Sequence, residues 1–209
     1  MVKIYTKTGD SGTSSLYDGT RASKSDPIFD CLGDFDELNS HLGLLKGYYS
    51  ESRNTSELYN PPGAGALFYK TEKCLDTGKY YEWFVLDKII TGIQCKIMDI
   101  CTVVATPGKE SNFVNEYLEI EKLIDRFDSI LPPIKNFVVP SGNVLVSQIH
   151  VCRVLIRKCE RKMIIVNNNE SLKIYLNRLS DLFFMLSRFV AFTLGIEEDL
   201  YSQKKGLFN

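Results

Sequence analysis

Apolar positions recur at three- and four-residue intervals through most of the chain, the period of helices that bury one face. The first run is Phe35, Leu38, Leu42 and Leu45, about three turns or a little more, with Asp34 as its expected N-cap. Asp36 and Glu37 then fall in the first turn, where negative charge suits the helix dipole. A second helix is expected from about Tyr81, through Leu86, Ile90, Ile93, Ile97, Ile100 and Val104, until Thr106-Pro107-Gly108 stops it. The third follows Phe113, Tyr117, Ile120, Ile124, Phe127 and Leu131 and breaks at Pro132-Pro133. The fourth is entered through Asn136 to Gly142 and buries Ile149, Cys152, Ile156, Cys159, Met163 and Val166. After Asn167-Asn168-Asn169 the fifth carries the clearest stripe: Leu172, Leu176, Leu179, Phe183, Leu186, Val190 and Leu194. Five amphipathic helices, mostly short loops and no convincing strand run predict an all-α fold, a five-helix antiparallel bundle of ferritin-like type.

Two stretches lack the period. Lys3 to Asp26 is rich in Thr, Ser, Gly, Asp and Lys and reads as a loop. Gly47 to Tyr81 holds Pro61, Pro62, Gly63 and Gly65 among scattered Tyr, Ser and Asn, and is expected to be a long, partly disordered insertion. At 209 residues the chain fits one domain. Its expected parts are an N-terminal loop over 1–33, the insertion over 47–81, and a helical bundle formed by 34–46 and 82–196.

Composition narrows the partners. With 44% hydrophobic and 24% charged residues and a formal charge of −1, the chain gives no reason to expect nucleic acid or an anionic membrane, so any anion site must be local. The six cysteines include no CxxC pair, and Cys152 and Cys159 fall on an apolar stripe; buried thiols in a reducing compartment are expected. No run of 18 apolar residues suggests a membrane span. The opening MVKIYTKTGDSG lacks the features of a secretory signal or transit peptide. The expected setting is intracellular, the cytoplasm, with the mitochondrial matrix the alternative where a transit peptide has been trimmed.

Candidate chemistry concentrates in His150 to Arg161. Arg153, Arg157, Glu160 and Arg161 share a face beside the apolar stripe of the fourth helix. Arg153 and Arg161 are eight residues apart, so their stems lie about 12 Å apart, a span suited to several linked phosphates. The same pattern also fits a solvated charged face. In the N-terminal loop, TKTGDSGTSS gathers hydroxyls and backbone N–H groups around Gly9 and Gly12, as an anion nest does, without the GK[ST] ending of a Walker loop. Asn177-Arg178 is a polar pair beside Leu176, able to meet a polyanion or to bond a neighbouring helix. A di-iron centre does not fit: His41 follows Glu37 by four residues, and no glutamate stands three before His150.

Taken in order, four segments resemble the PduO-type ATP:cob(I)alamin adenosyltransferases. They are Lys3-Ile4-Tyr5-Thr6-Lys7-Thr8-Gly9-Asp10-Ser11-Gly12-Thr13, then Gly33-Asp34-Phe35-Asp36-Glu37-Leu38-Asn39-Ser40, then Arg157-Lys158-Cys159-Glu160-Arg161, then Leu176-Asn177-Arg178-Leu179-Ser180-Asp181. The chain departs from the family pattern at Lys158, where an arginine is usual, at Cys159, where alanine is usual, and at Ser141 in the loop before the fourth helix.

The resemblance implies a homotrimer with ATP at subunit interfaces. Its reaction would be transfer of the 5′-deoxyadenosyl group of ATP to a reduced corrinoid, cob(I)alamin, with release of triphosphate. It further implies that Arg157 and Arg161, with Mg²⁺ carried mainly by the phosphates, hold the triphosphate. Thr6, Lys7, Thr8, Gly9, Asp10, Gly12, Thr13, Ser14 and Lys24 would fold over the nucleotide, with Glu160 and Asn177 fixing it. Arg153 would pair with Asp36 across subunits, and Phe137, with His150, would meet the corrinoid, Phe137 displacing its lower ligand. Read from the residues alone, Phe137 is a helix-entry staple, a reading that the resemblance weighs against without removing. A corrinoid reductase and an adenosylcobalamin-dependent enzyme are the implied protein partners. An ATP-sensing bundle without turnover and a purely structural trimeric scaffold are the alternatives.

Overall fold

The computed structural model describes residues 4–55, 86–106 and 108–201. Five helices follow one another: α1 (Pro27–Thr55), α2 (Leu86–Val104), α3 (Val114–Asp128), α4 (Val144–Val166) and α5 (Glu170–Thr193). Ahead of them β1 (Thr13–Ser15) and β2 (Arg21–Ser23) form an antiparallel hairpin, pairing Thr13 with Ser23, Ser14 with Ala22 and Ser15 with Arg21. The stretch expected to be wholly irregular therefore holds a small sheet. Three-residue strands are too short for an alternating pattern to show in sequence.

The first helix differs most from expectation. It starts at Pro27, so Asp34 lies in its body rather than at its cap, and Asp36 and Glu37 are not first-turn acids. The local reason is Asp26-Pro27: the Asp26 carboxylate accepts from Ile28 N at 3.0 Å, and proline suits a first helical position where no N–H is required. The N-terminal loop accordingly gives out at Asp26 instead of residue 33. At its other end α1 continues to Thr55, so 47–55, expected within the insertion, is helical, and Tyr49 extends the buried stripe one turn past Leu45. The remaining expected insertion, 56–81, and the start of the second helix, 82–85, lie outside the described residues.

Apart from Tyr117, Ile124, Val166 and Leu194, which are only half-buried, the other helices bury the stripes their spacing predicts. On α2 these are Leu86, Ile90, Ile93, Ile97, Ile100 and Val104. α3 stops at Asp128, short of Leu131, which a turn closing on the Phe127 carbonyl still carries into the core. Asn143 caps α4 by accepting from Val146 N, and Asn169 caps α5 by accepting from Leu172 N. Asn169 also donates to the Ser111 carbonyl at 2.8 Å, tying the α4–α5 turn to the entry of α3.

Cross-helix pairs give the directions. Along α1 and α4, Asp30 meets Lys162, Asp34 and Glu37 meet Lys158, and His41 meets Gln148, an antiparallel register. Lys46 with Asp87 and Asn39 with Gln94 make α1 and α2 antiparallel too. Phe113 stacks on Tyr175 at 5.6 Å, Glu121 meets Arg178, and Phe127 stacks on Phe189 at 4.7 Å. The spatial neighbours α3 and α5 therefore run parallel, although helices consecutive in sequence alternate in direction. The bundle has two ends with different equipment. Tyr17 N donates to the Ala105 carbonyl at 3.1 Å, placing the hairpin where α2 and α4 finish and α1, α3 and α5 begin. The Pro132 to Asn143 segment, with Phe137, lies at the opposite end.

Candidate active site

The hairpin end is assembled from backbone turns. Lys7 (φ 57) and Gly12 (φ 80) take the left-handed conformation that a tight turn needs, and glycine adopts it without Cβ strain. Gly12 N bonds Gly9 O at 3.2 Å and Lys24 N bonds Gly12 O at 2.9 Å. A Cβ on Gly9 would stand 3.2 Å from the Lys24 ammonium nitrogen, so Lys24 reaches over the turn. The Thr6 and Thr8 hydroxyls bond each other at 2.9 Å, and Lys7 lies 5.9 Å from the centre of the Tyr5 ring. Thr6, Lys7, Thr8, Asp10, Gly12 and Lys24 are exposed, while Gly9, Thr13 and Ser14 are half-buried. Two lysines thus stand at an open turn.

One residue that sequence reasoning passed over fastens this turn. Arg21 donates to the Thr8 carbonyl at 2.6 Å, to the Thr13 carbonyl at 3.3 Å, to the Thr13 hydroxyl, and to Ser15 Oγ at 3.2 Å. The fixed fork of the guanidinium lets a single side chain close a loop from two sides. The only sequence signal was an arginine among small polar residues.

On α4 the cations divide into two kinds. Lys158 reaches Asp34 at 2.9 Å and Glu37 at 2.7 Å, and Lys162 reaches Asp30 at 3.2 Å. Hydrogen bonds that Lys158 donates to Glu37 and then Asp34 hold its ammonium well above the usual lysine range, and the contact with Glu37 lowers that carboxyl. Lysine at this departure from the family pattern thus ties α4 to α1. Arg153, Arg157 and Arg161, by contrast, form no ion pair among the described residues. Arg157 and Arg161 are exposed, and Arg161 donates to the Arg157 carbonyl at 3.0 Å. Arg153 is half-buried with its Nε unpartnered; burial and then the Arg157 charge lower its pKa.

Around these arginines the remaining candidates fall into three groups. Asn177 donates to Glu160 at 3.3 Å and accepts from Arg178 at 3.0 Å, while Arg178 reaches Glu121 at 2.7 Å. Asn177 therefore bonds a neighbouring helix, through Glu160 on the arginine-bearing α4. Asp36 is exposed on α1 and makes no contact with Arg153 of its own chain. His150 is buried with Nδ1 unpartnered, and burial followed by the Arg153 charge pushes its pKa down to about 4, so the ring is neutral near pH 7.

Phe137 is not a staple packed against α4. Its ring is 84% exposed, at the bundle end away from the hairpin. The cysteines play no visible part. Cys31, Cys152 and Cys159 are buried, Cys101 half-buried and Cys95 exposed, all free, while Cys74 lies outside the described residues. Burial pushes Cys31 up to about 12 and Cys101 up to about 11, which leaves them protonated thiols at neutral pH.

The helical bundle thus carries an arginine row with no ion pair among the described residues, a lysine-bearing turn and a buried neutral histidine. The family profile described as cobalamin adenosyltransferase matches residues 4–190, and the chain belongs to that family, a family of transferase enzymes. Among curated relatives, it is 32% identical to the corrinoid adenosyltransferase MMAB of Homo sapiens over 95% of this chain and 73% of that protein. It is 29% identical to a corrinoid adenosyltransferase of Bacillus subtilis over 99% of this chain and 96% of that protein. A solved variant of a PduO-type ATP:corrinoid adenosyltransferase from Lactobacillus reuteri, complexed with cobalamin and ATP, superposes with a TM-score of 0.75 at 25% identity. That match covers 96% of this chain and 100% of the solved one. No helix among the described residues is long and apolar enough to cross a membrane.

Proposed function

We propose that this chain transfers the 5′-deoxyadenosyl group of ATP to the cobalt of a Co(I) corrinoid, as a homotrimer with ATP sites between subunits. The observation that carries the reading is the split on α4: Lys158 and Lys162 are neutralised by α1 carboxylates, whereas Arg153, Arg157 and Arg161 have no carboxylate partner among the described residues. Cations left unpaired on an ordered helix are suited to an incoming triphosphate.

In this reaction Co(I) attacks C5′ of ATP. The Co–C5′ bond forms as the C5′–O bond breaks, and the electron pair of that bond leaves with triphosphate. Co(I) is a strong nucleophile, so no general base is required. The protein's task is to align C5′ and to stabilise the negative charge of the leaving group. Arg157 and Arg161 meet the triphosphate, while Lys7, Lys24 and the Gly9 to Thr13 backbone close over it. Asn177 and Glu160 fix the nucleotide. Mg²⁺ suits this arrangement, since it binds through phosphate oxygens and few protein ligands. Glu160, the only acid on α4, would be the carboxylate to join it, and no cluster of three or more His, Cys, Asp or Glu for a protein-held metal occurs among the described residues. The bound ion would neutralise phosphate charge.

Two features support assembly. The hairpin and Phe137 stand at opposite ends of one bundle, so a centre that uses both draws them from different chains. Asp36 and Arg153, uncombined within one chain, are then free to pair across the interface. Phe137 and the neutral His150 belong to the corrinoid side, where an apolar ring displaces the lower ligand and makes Co(II) easier to reduce. A reductase that delivers the electron and an enzyme that consumes adenosylcobalamin complete the set of partners. The five cysteines among the described residues, all free thiols, suit a reducing setting such as the cytoplasm.

The test is to mix the protein with Mg-ATP and chemically reduced cob(I)alamin. An alkylcobalt absorption spectrum with one triphosphate released per corrinoid is expected. An ATP-dependent rise in Tm without alkylcobalt would make the protein a sensor, and no response to ATP at all would make it a scaffold.

A further inference from the structure

Near the end of α5 an arginine sits where the helix is otherwise apolar. Arg188 is 4% exposed, flanked by the buried Leu186, Phe189 and Val190. A charge taken out of water persists only where it is paired and hydrogen-bonded, and an apolar residue of similar volume commonly gives equal or greater stability. Such a pair therefore points to a role in specifying conformation.

Its partners show which conformation. Arg188 Nε donates to Glu198 Oε1 at 3.0 Å, and Nη2 donates to the Pro132 carbonyl at 2.8 Å. Pro132 opens the segment that carries Phe137, and Glu198 immediately precedes the C-terminal stretch Asp199 to Tyr201. Those two segments pair with each other. Val139 N donates to Asp199 O at 2.7 Å, Tyr201 N donates to Phe137 O at 2.7 Å, and Val138 and Leu200 form an antiparallel bridge. One guanidinium thus ties down the roots of both arms of a small ladder whose outer rung is Phe137. The ring itself, 84% exposed, has little packing to hold it, so its position is set by its backbone.

Resting on the corrinoid reading above, the geometry points to Arg188 and Glu198 as positioning residues that hold Phe137 in place for the corrinoid, acting through the Phe137–Tyr201 backbone ladder. The C-terminal stretch is then part of the corrinoid site although its side chains need not touch the ligand.

Two variants test this in the full-length protein. Glu198→Gln removes the charge opposite Arg188, and Tyr201→Pro deletes the N–H that bonds Phe137 O while leaving the ion pair intact. Each is expected to raise KM for cob(II)alamin by about tenfold, the scale of a sub-ångström to ångström misplacement, with KM for ATP unchanged. Each should also weaken the absorption signature of bound Co(II) that has lost its lower ligand. In a Phe137→Ala background neither change should add a further effect. The inference is overturned if both variants lower Tm yet keep wild-type corrinoid KM and Co(II) spectrum, or if their effects add to that of Phe137→Ala. Failure of the functional reading looks different: the wild-type protein itself would yield no alkylcobalt.

Discussion

Arg157 combines exposure with the absence of an ion pair on a helix whose lysines are all engaged. Its removal should therefore leave the fold intact and strike function. Arg157→Ala is expected to lower kcat/KM for ATP by about 100-fold or more, the range for losing a charge that faces a developing anion, with Tm unchanged. Activity within a few-fold of wild type would mean the arginine face is merely solvated. His150 behaves in the opposite way. Its pKa is depressed to about 4 by burial and by Arg153, whereas an unfolded histidine titrates near 6.5. The unfolded chain thus binds the proton more readily. The stability due to the neutral ring is complete above pH 6.5 and declines as the pH falls from there to about 4. Thermal melts between pH 7 and pH 4 should show this decline, and His150→Gln should flatten the part of it that falls in this window; an unchanged profile would remove His150 from the account.

The hairpin is the element whose order rests on one side chain. Arg21 bonds Thr8, Thr13 and Ser15, while most residues of the turn are exposed and lack packing of their own. Arg21→Ala should speed tryptic cleavage after Lys7 and raise KM for ATP about tenfold, because ordering the turn then falls to the ligand. Mg-ATP should protect wild type strongly and the variant weakly. Equal protection of both would show that the turn orders without Arg21. α1 teaches a related lesson about elements. Its true start is marked by Asp26-Pro27, yet the acidic Asp34-Phe35-Asp36-Glu37 stretch imitates a cap within the helix body. Those acids serve α4, since Asp34 and Glu37 hold Lys158.

At the scale of the molecule, Asp36 and Arg153 decide whether the site is shared. If they pair across subunits, each single change leaves a charge at the interface without its partner, at a cost of about 3–5 kcal/mol where it is buried. Asp36→Ala and Arg153→Ala proteins should each be inactive or fail to assemble. Mixed together and reassembled, they form some interfaces in which both positions are wild type, and turnover should return in part. A mixture as inactive as its components would rule out a pair shared between chains.

The sequence by itself determined the helices, because burying one face of a helix imposes a period that survives in a linear string. The stripes of α2, α4 and α5 were legible, save that Val166 and Leu194, at the ends of theirs, are only half-buried. It also contained the arginine row and the glycine-rich turn, though each, taken alone, reads more readily as a solvated surface. Which cations are free could only be decided by the fold, since Lys158 and Arg157 are adjacent in sequence and it is what α1 sets opposite them that pairs one and leaves the other open. The same is true of the parallel pairing of α3 with α5, of the Arg21 clasp, and of the Arg188 pair with Glu198. Each joins side chains from separate elements, and such contacts carry no period along the chain. Tertiary structure alone places the hairpin and Phe137 at opposite ends of the bundle, for that separation is set by how the helices alternate in direction.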